Sequence, residues 1–180
     1  MAHINVPEGV PGIRSLVMFR PETGKPLYEL AQALLRGPST LSEADRELIA
    51  SFVSSKNDCM FCMSSHAAAA RYLYKDRKGI VDFVLEDYLN APISAKLKAL
   101  LSIAAKVQQD ARTVSPDDIS NAKVEGATEQ EIHDTVLIAA SFCMFNRYVD
   151  GLASLTPTDP EAYEAMAERM AQGYTLPKQQ

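Results

Sequence analysis

No apolar run in this 180-residue chain comes near the roughly 20 residues that a membrane-spanning helix needs. Basic charge is not in excess either: 18 Lys and Arg stand against 23 Asp and Glu, a net charge of −5. That balance argues against a general nucleic-acid binder, whose phosphate-facing surface is basic. Met1 to Pro11 lack the basic start and apolar block of a signal peptide, so a cytoplasmic protein is expected. Strand-like alternation of apolar and polar residues is absent as well. Cysteine is scarce, with 3 in the chain: Cys59, Cys62 and Cys143. A domain of this length buries about 70% of its unfolded surface and needs no disulfide or metal to hold its core. In a reducing compartment those cysteines call for another explanation.

What is present is helix. Residues are 47% hydrophobic and 23% charged, which supports a packed core rather than disorder. Residues 1–26 carry Pro7, Pro11, Pro21 and Pro26 among glycines and read as an extended arm. From Leu27 the apolar residues recur at three- and four-residue spacing until Gly37-Pro38. Ser42 with Asp45 opens a helix to about Ser54, and Asp58 is placed to cap the next, from Cys59 to about Tyr74. Ile80 to Leu89 is a short helix. Ile93, Leu97, Leu100, Leu101, Ala104 and Val107 form the stripe of a longer one. Ser115-Pro116 starts another, stopped by Gly126, and Thr128 with Glu131 is a capping box. The helix from Ile132 to Val149 is apolar almost all round, which places it at the centre of the bundle. A helical domain over 27–155 and a last helix with a tail over 156–180 complete an all-α chain.

Cys59, Cys62 and His66 stand at C-x-x-C-x-x-x-H spacing. At about 100° per residue they share a sector of about 60° on one helical face. Two cysteines three apart suit a reversible disulfide, and an imidazole one turn on can exchange a proton with the nearer sulfur. Glu47, on the polar edge of the preceding helix, could reach His66 across a hairpin and set its tautomer. The helix dipole favours ionisation of Cys59, whereas His66 favours Cys62, so physics alone leaves the nucleophile open.

Glu47, Cys59, Cys62 and His66 at this spacing resemble the active-site signature of the AhpD-like superfamily, the alkyl hydroperoxidase D and carboxymuconolactone decarboxylase group. Arg46-Glu47-Leu48-Ile49-Ala50 and Phe145-Asn146-Arg147-Tyr148-Val149-Asp150-Gly151-Leu152 resemble its peroxidase-related branch in particular. The resemblance covers roughly residues 25–155. It implies an AhpD-like orthogonal helical bundle that forms a homo-oligomer and reduces alkyl hydroperoxides as an antioxidant. Cys62 would be the attacking thiolate, Cys59 the proton donor and resolving thiol, and Glu47 with His66 the proton relay. The partners would be a small hydroperoxide and an external dithiol protein or small thiol, with no cofactor, metal, nucleic acid or membrane. The chain departs from the family pattern at Phe61, where alkyl hydroperoxidase D proteins often carry a second histidine. The decarboxylase branch generally lacks the cysteine pair, so its lactone chemistry is the less favoured alternative reading. A redox-sensing or disulfide-exchange module is another.

Each feature has a plainer reading. Glu47 could be a surface carboxylate, and the cysteine pair with His66 could be three ligands of a zinc site completed by Cys143 or Glu47. Cys143, among Phe142, Met144 and Phe145, is expected to be an inert core thiol. Arg147 and Asp150 suggest a structural ion pair, and Asn146 either lines the pocket or packs. His133 reads as structural or exposed, and His3 belongs to the arm.

Overall fold

The computed structural model describes residues 2–175. Among the described residues there are nine α-helices and no strand. They are α1 (Ile13–Phe19), α2 (Pro21–Arg36), α3 (Glu43–Lys56), α4 (Met60–Tyr74), α5 (Ile80–Asp87), α6 (Ala95–Asp110), α7 (Pro116–Val124), α8 (Glu129–Gly151) and α9 (Pro160–Gln172). None is long and apolar enough to cross a membrane. The local signals work as read. Ser42 accepts from the Asp45 N–H, and Thr128 and Glu131 form a reciprocal capping box, as do Ser115 and Asp118. Gly126, at φ 90°, follows α7 where a left-handed residue is needed.

The N-terminal segment is not the extended arm expected over 1–26. Pro21 sits in the first turn of α2, where its missing N–H costs nothing, and α2 tolerates Pro26 inside it. Before it, α1 buries Leu16 and Val17 completely. Prolines that punctuate a sequence can also begin helices, and here they do. At α1 the chain turns through Gly12, at φ 57°, and a Cβ there would overlap the Phe61 ring on α4. Gly12→Ala is expected to destabilise the protein by about 2 kcal/mol, through strained backbone and overpacking together. Thermal denaturation checks this, with an expected fall in Tm of roughly 4–8 °C.

The centre of the bundle is α3, not α8. Every residue from Ala44 to Ser54 except Asp45 is buried on α3, which packs against α4, α8, α6, α2 and α5. Its Arg46, Glu47, Ser51 and Ser54 hide this from a hydrophobicity reading, because each is buried with hydrogen bonds rather than exposed. Arg46 Nη1, for example, donates to the Leu34 and Gly37 carbonyls and pins the end of α2 to α3. Helix α8 buries Ile138, Phe142, Phe145 and Val149 but leaves Met144 and Arg147 exposed. A tight connection, Asn57 to Cys59, folds α4 back on α3 as a hairpin, and α9 packs on α4. Helix α9 is thus part of the same packed body.

Candidate active site

Helix α4 begins one residue later than the spacing predicts. Asp58 adopts a left-handed conformation, φ 57°, and Cys59 is the N-cap, with Met60 the first helical residue. Asp58 therefore closes α3 instead of capping α4, its N–H bonding to the Ser55 carbonyl. Cys59 caps without a side-chain hydrogen bond. That placement moves Cys62 to the third helical position, still inside the first turn, where backbone N–H groups lack helical partners.

Both thiols are free and buried, Cys59 at 0% exposure and Cys62 at 4%. They differ in what they face. Cys62 lines a cavity of about 320 Å³ enclosed by α1, α2, α4, α8 and α9. Cys59 packs in an apolar cluster with Phe61, Ala68, Val149, Tyr163 and Ala167. Donation of the Cys62 S–H to the Cys59 sulfur, together with burial, pushes the Cys62 thiol well above its ordinary pKa, and the Asp150 charge adds to this. A hydrogen bond from Asn146 works the other way. Two adjacent buried thiols cannot readily carry two negative charges, so the pair holds at most one.

Glu47 is completely buried, which corrects the polar-edge placement. Its Oε2 lies 2.6 Å from His66 Nδ1, while Oε1 accepts from Arg36 Nη2 at 2.5 Å and from the Tyr174 hydroxyl at 2.6 Å. Burial opposes ionisation, but His66, Arg36 and Tyr174 together outweigh it and hold the Glu47 pKa below the usual carboxylate range. An ionised carboxylate can only accept, so His66 donates from Nδ1 and keeps Nε2 free to take a proton. The imidazole lines the cavity, with the Phe142 edge on it at 4.6 Å and the Tyr174 ring stacked at 6.1 Å. Neither thiol hydrogen-bonds to His66 among the described contacts. The two cavity-facing groups, Cys62 and His66, are one helical turn apart and need an oxygen between them to complete a relay.

Arg36 and Tyr174 carry the site and were not singled out by sequence reasoning. The Arg36 guanidinium is almost fully buried and also donates to the Met170 and Ala171 carbonyls, so it closes α9 while neutralising Glu47. Tyr174 lies past α9, in what reads as a tail. Its N–H donates to Gln32, its ring lies under Arg36 at 5.2 Å, and burial with Glu47 nearby raises its pKa far enough to keep it a donor. The rest of that expected tail, 176–180, lies outside the described residues.

Other expectations divide. Asn146 is buried and donates to Ser54 Oγ while accepting from Asn57, which fixes its amide beside Cys62. Arg147 and Asp150 are both exposed and do not pair, since Arg147 turns back to the Cys143 carbonyl. Cys143 is half-buried, with Asn57 Nδ2 at 3.6 Å, rather than sealed in the core. His133 is exposed beside Asp134, and His3 reaches the Gly151 carbonyl. Phe61 supplies an apolar wall against Tyr163 where a second histidine would be polar. Among the described residues, no three His, Cys, Asp or Glu side chains are grouped to hold a metal ion. A larger hollow of about 770 Å³, on the Met60–Tyr72 side of α4 against α9, contains none of the candidate residues.

The signature of the carboxymuconolactone decarboxylase family matches residues 21–85, from α2 into α5. A search of curated proteins finds no match. Among solved structures, the chain is similar to an uncharacterized peroxidase-related protein from Silicibacter sp. TM1040. The identity is 27%, covering 86% of this chain and 79% of that one, with a TM-score of 0.78. It also shares the fold of an alkylhydroperoxidase AhpD core, an uncharacterized peroxidase-related protein from Ralstonia eutropha JMP134. There the identity is 22%, the coverage 92% and 96%, and the TM-score 0.81. A protein of unknown function from Agrobacterium tumefaciens, proposed to be an antioxidant defence protein AhpD, matches at 20% identity. It covers 88% of this chain and 100% of its own, with a TM-score of 0.71. The all-helical fold is that of these AhpD-like structures, and the carboxymuconolactone decarboxylase family signature lies across the α3–α4 hairpin that carries Glu47, Cys59, Cys62 and His66.

Proposed function

We propose that the protein is a thiol-dependent hydroperoxidase that reduces alkyl hydroperoxides through the Cys59–Cys62 pair. The observation that carries this reading is that Cys62 opens onto a cavity shared with His66, whose tautomer Glu47 sets. With a hydroperoxide in the cavity, His66 Nε2 takes the Cys62 proton as the sulfur attacks the O–O bond. Cys62 becomes a sulfenic acid, and the leaving oxygen takes the proton back from His66 and departs as an alcohol. The Cys59 thiol then condenses with the sulfenic acid, forming the disulfide and releasing water. An external dithiol, protein or small molecule, restores both thiols by exchange, so no cofactor enters the cycle. Such a cycle suits a reducing cytoplasm. In this reading the chain assembles into a homo-oligomer, which would cover some of its exposed apolar side chains, such as Phe19, Phe83 and Val124.

A redox-sensing module with little turnover is the competing reading, and it draws on the raised Cys62 pKa and the open gap between Cys62 and His66. Turnover separates the two. Native protein given dithiothreitol and an alkyl hydroperoxide should consume peroxide far faster than His66→Ala does. Equal slow rates in both would leave only the sensor.

A further inference from the structure

The cavity beside Cys62 is apolar over most of its wall, from Leu27, Ala31, Phe142, Phe145 and Met166. Its volume of about 320 Å³ suits a medium-sized organic molecule rather than hydrogen peroxide. Two guanidinium groups, Arg14 on α1 and Arg169 on α9, also line it. Neither forms an ion pair with a described residue, whereas Arg36 and Arg46, beside Glu47, both donate to acceptors. Arg14 Nε is buried with no hydrogen-bond partner. Both arginines stand close enough to the Tyr28 phenol, another lining residue, to offset part of its burial, which puts the two charges around one point of the wall. Glu47 cannot answer them, because Arg36, His66 and Tyr174 already use both its oxygens.

A second unspent group lies at the reactive end. Ser65 is buried at 3% exposure, lines the same cavity and leaves its hydroxyl without a partner. It stands one turn from Cys62 and next to His66 in sequence. Buried polar groups in a folded protein are normally satisfied. An apolar chamber that leaves a guanidinium nitrogen and a hydroxyl unsatisfied is built for an occupant that brings acceptors to both.

We infer that the cavity binds an organic acid, and that the preferred substrate is a hydroperoxide carrying a carboxylate. The carboxylate sits on Arg14 and Arg169, the hydrocarbon body fills the apolar walls, and the hydroperoxide meets Cys62 with the Ser65 hydroxyl as donor. Recognition of the acid stands on the cavity alone, whereas its role as a substrate rests on the peroxidase reading above.

The test uses binding and turnover separately. Octanoate and octan-1-ol, neither of them oxidising, are titrated into the reduced native chain by calorimetry. Octanoate is expected to bind at least about tenfold more tightly, the size of one or two charge-assisted hydrogen bonds. Arg14→Gln with Arg169→Gln should remove that preference and leave octan-1-ol binding unchanged. Arg14→Lys, which keeps the charge, should retain most of it and guards against a folding artefact. In turnover, a medium-chain hydroperoxy acid should exceed its methyl ester by a similar factor in kcat/KM for the native protein and match it in the double variant. Equal binding of acid and alcohol, or a preference that survives the double variant, overturns the inference. Acid-selective binding with no hydroperoxide consumed overturns the peroxidase reading instead and leaves the acid site standing.

Discussion

Replacing Cys62 with serine is expected to lower hydroperoxide consumption by roughly a thousandfold or more, as loss of a nucleophile does. Serine preserves the size and burial of the side chain but offers a hydroxyl that His66 cannot ionise to any useful extent. Cys59→Ser should behave differently. It keeps the sulfur that lines the cavity and loses the one sealed behind Phe61 and Tyr163. Without reductant it should still consume one equivalent of hydroperoxide and accumulate a sulfenic acid that dimedone traps, since its resolving thiol is gone. Loss of the Cys59 sulfur, whose charge and hydrogen bond hold the Cys62 pKa up, for a hydroxyl that can donate to the thiolate should also make that thiolate form at lower pH than in the native chain. Iodoacetamide alkylation across a pH series reads that change. The reverse pattern, with Cys62→Ser forming the trapped sulfenic acid, would assign the attack to Cys59.

Glu47→Gln carries the second large effect, and it acts on both stability and rate. The Arg36 guanidinium, only 4% exposed, would lose its buried carboxylate and keep its charge. Breaking a buried pair from one side costs about 3–5 kcal/mol, so Tm should fall by roughly 10 °C or more. The amide can also present its NH₂ to His66, which favours the wrong tautomer, and turnover should fall by roughly a hundredfold. The sign of the pH effect follows from the lowered pKa. Glu47 is ionised more readily in the fold than in the unfolded chain, so its contribution is fully present above the unfolded value, about 4.3. It is lost as the pH falls through the lower, folded value. The native protein should therefore lose stability on acidification through that window, and Glu47→Gln should show a flatter acid limb in denaturant titrations. Pairing Glu47→Leu with Arg36→Met removes both charges and should recover part of the stability but none of the turnover. That separates a merely structural role from positioning of His66. Tyr174→Phe, which leaves the Arg36 bond intact, should have a milder effect in the same direction.

The helices were largely legible because their signals are local. Caps such as Ser42, Ser115 and Thr128 act within three residues, and they lie where the spacing predicts them. The spacing of Cys59, Cys62 and His66 was legible for the same reason, since one helix carries it. Burial of Glu47 was not. A helix whose polar residues are satisfied by partners 11 and 19 residues away looks amphipathic in sequence, and only the tertiary fold makes it central. Tyr174 is harder still: it reaches Glu47 across 127 residues of chain from a segment with no periodic pattern. At the other end, Pro21 read as a breaker and proved to be a helix start, because proline stops a helix in its interior and suits its first turn. Arg147 and Asp150 show the opposite failure, where helical spacing allowed a pair that the side chains do not make.

Treating the fully reduced native protein with one equivalent of an alkyl hydroperoxide, with no reductant present, and then taking intact mass and peptide masses is the most direct measurement. The chain should lose two hydrogen atoms, with the peptides holding Cys59 and Cys62 joined by a disulfide, Cys143 still alkylatable and one alcohol formed per chain. An unchanged mass with the hydroperoxide left intact, or oxidation at Cys143 alone, would contradict a Cys59–Cys62 peroxidase.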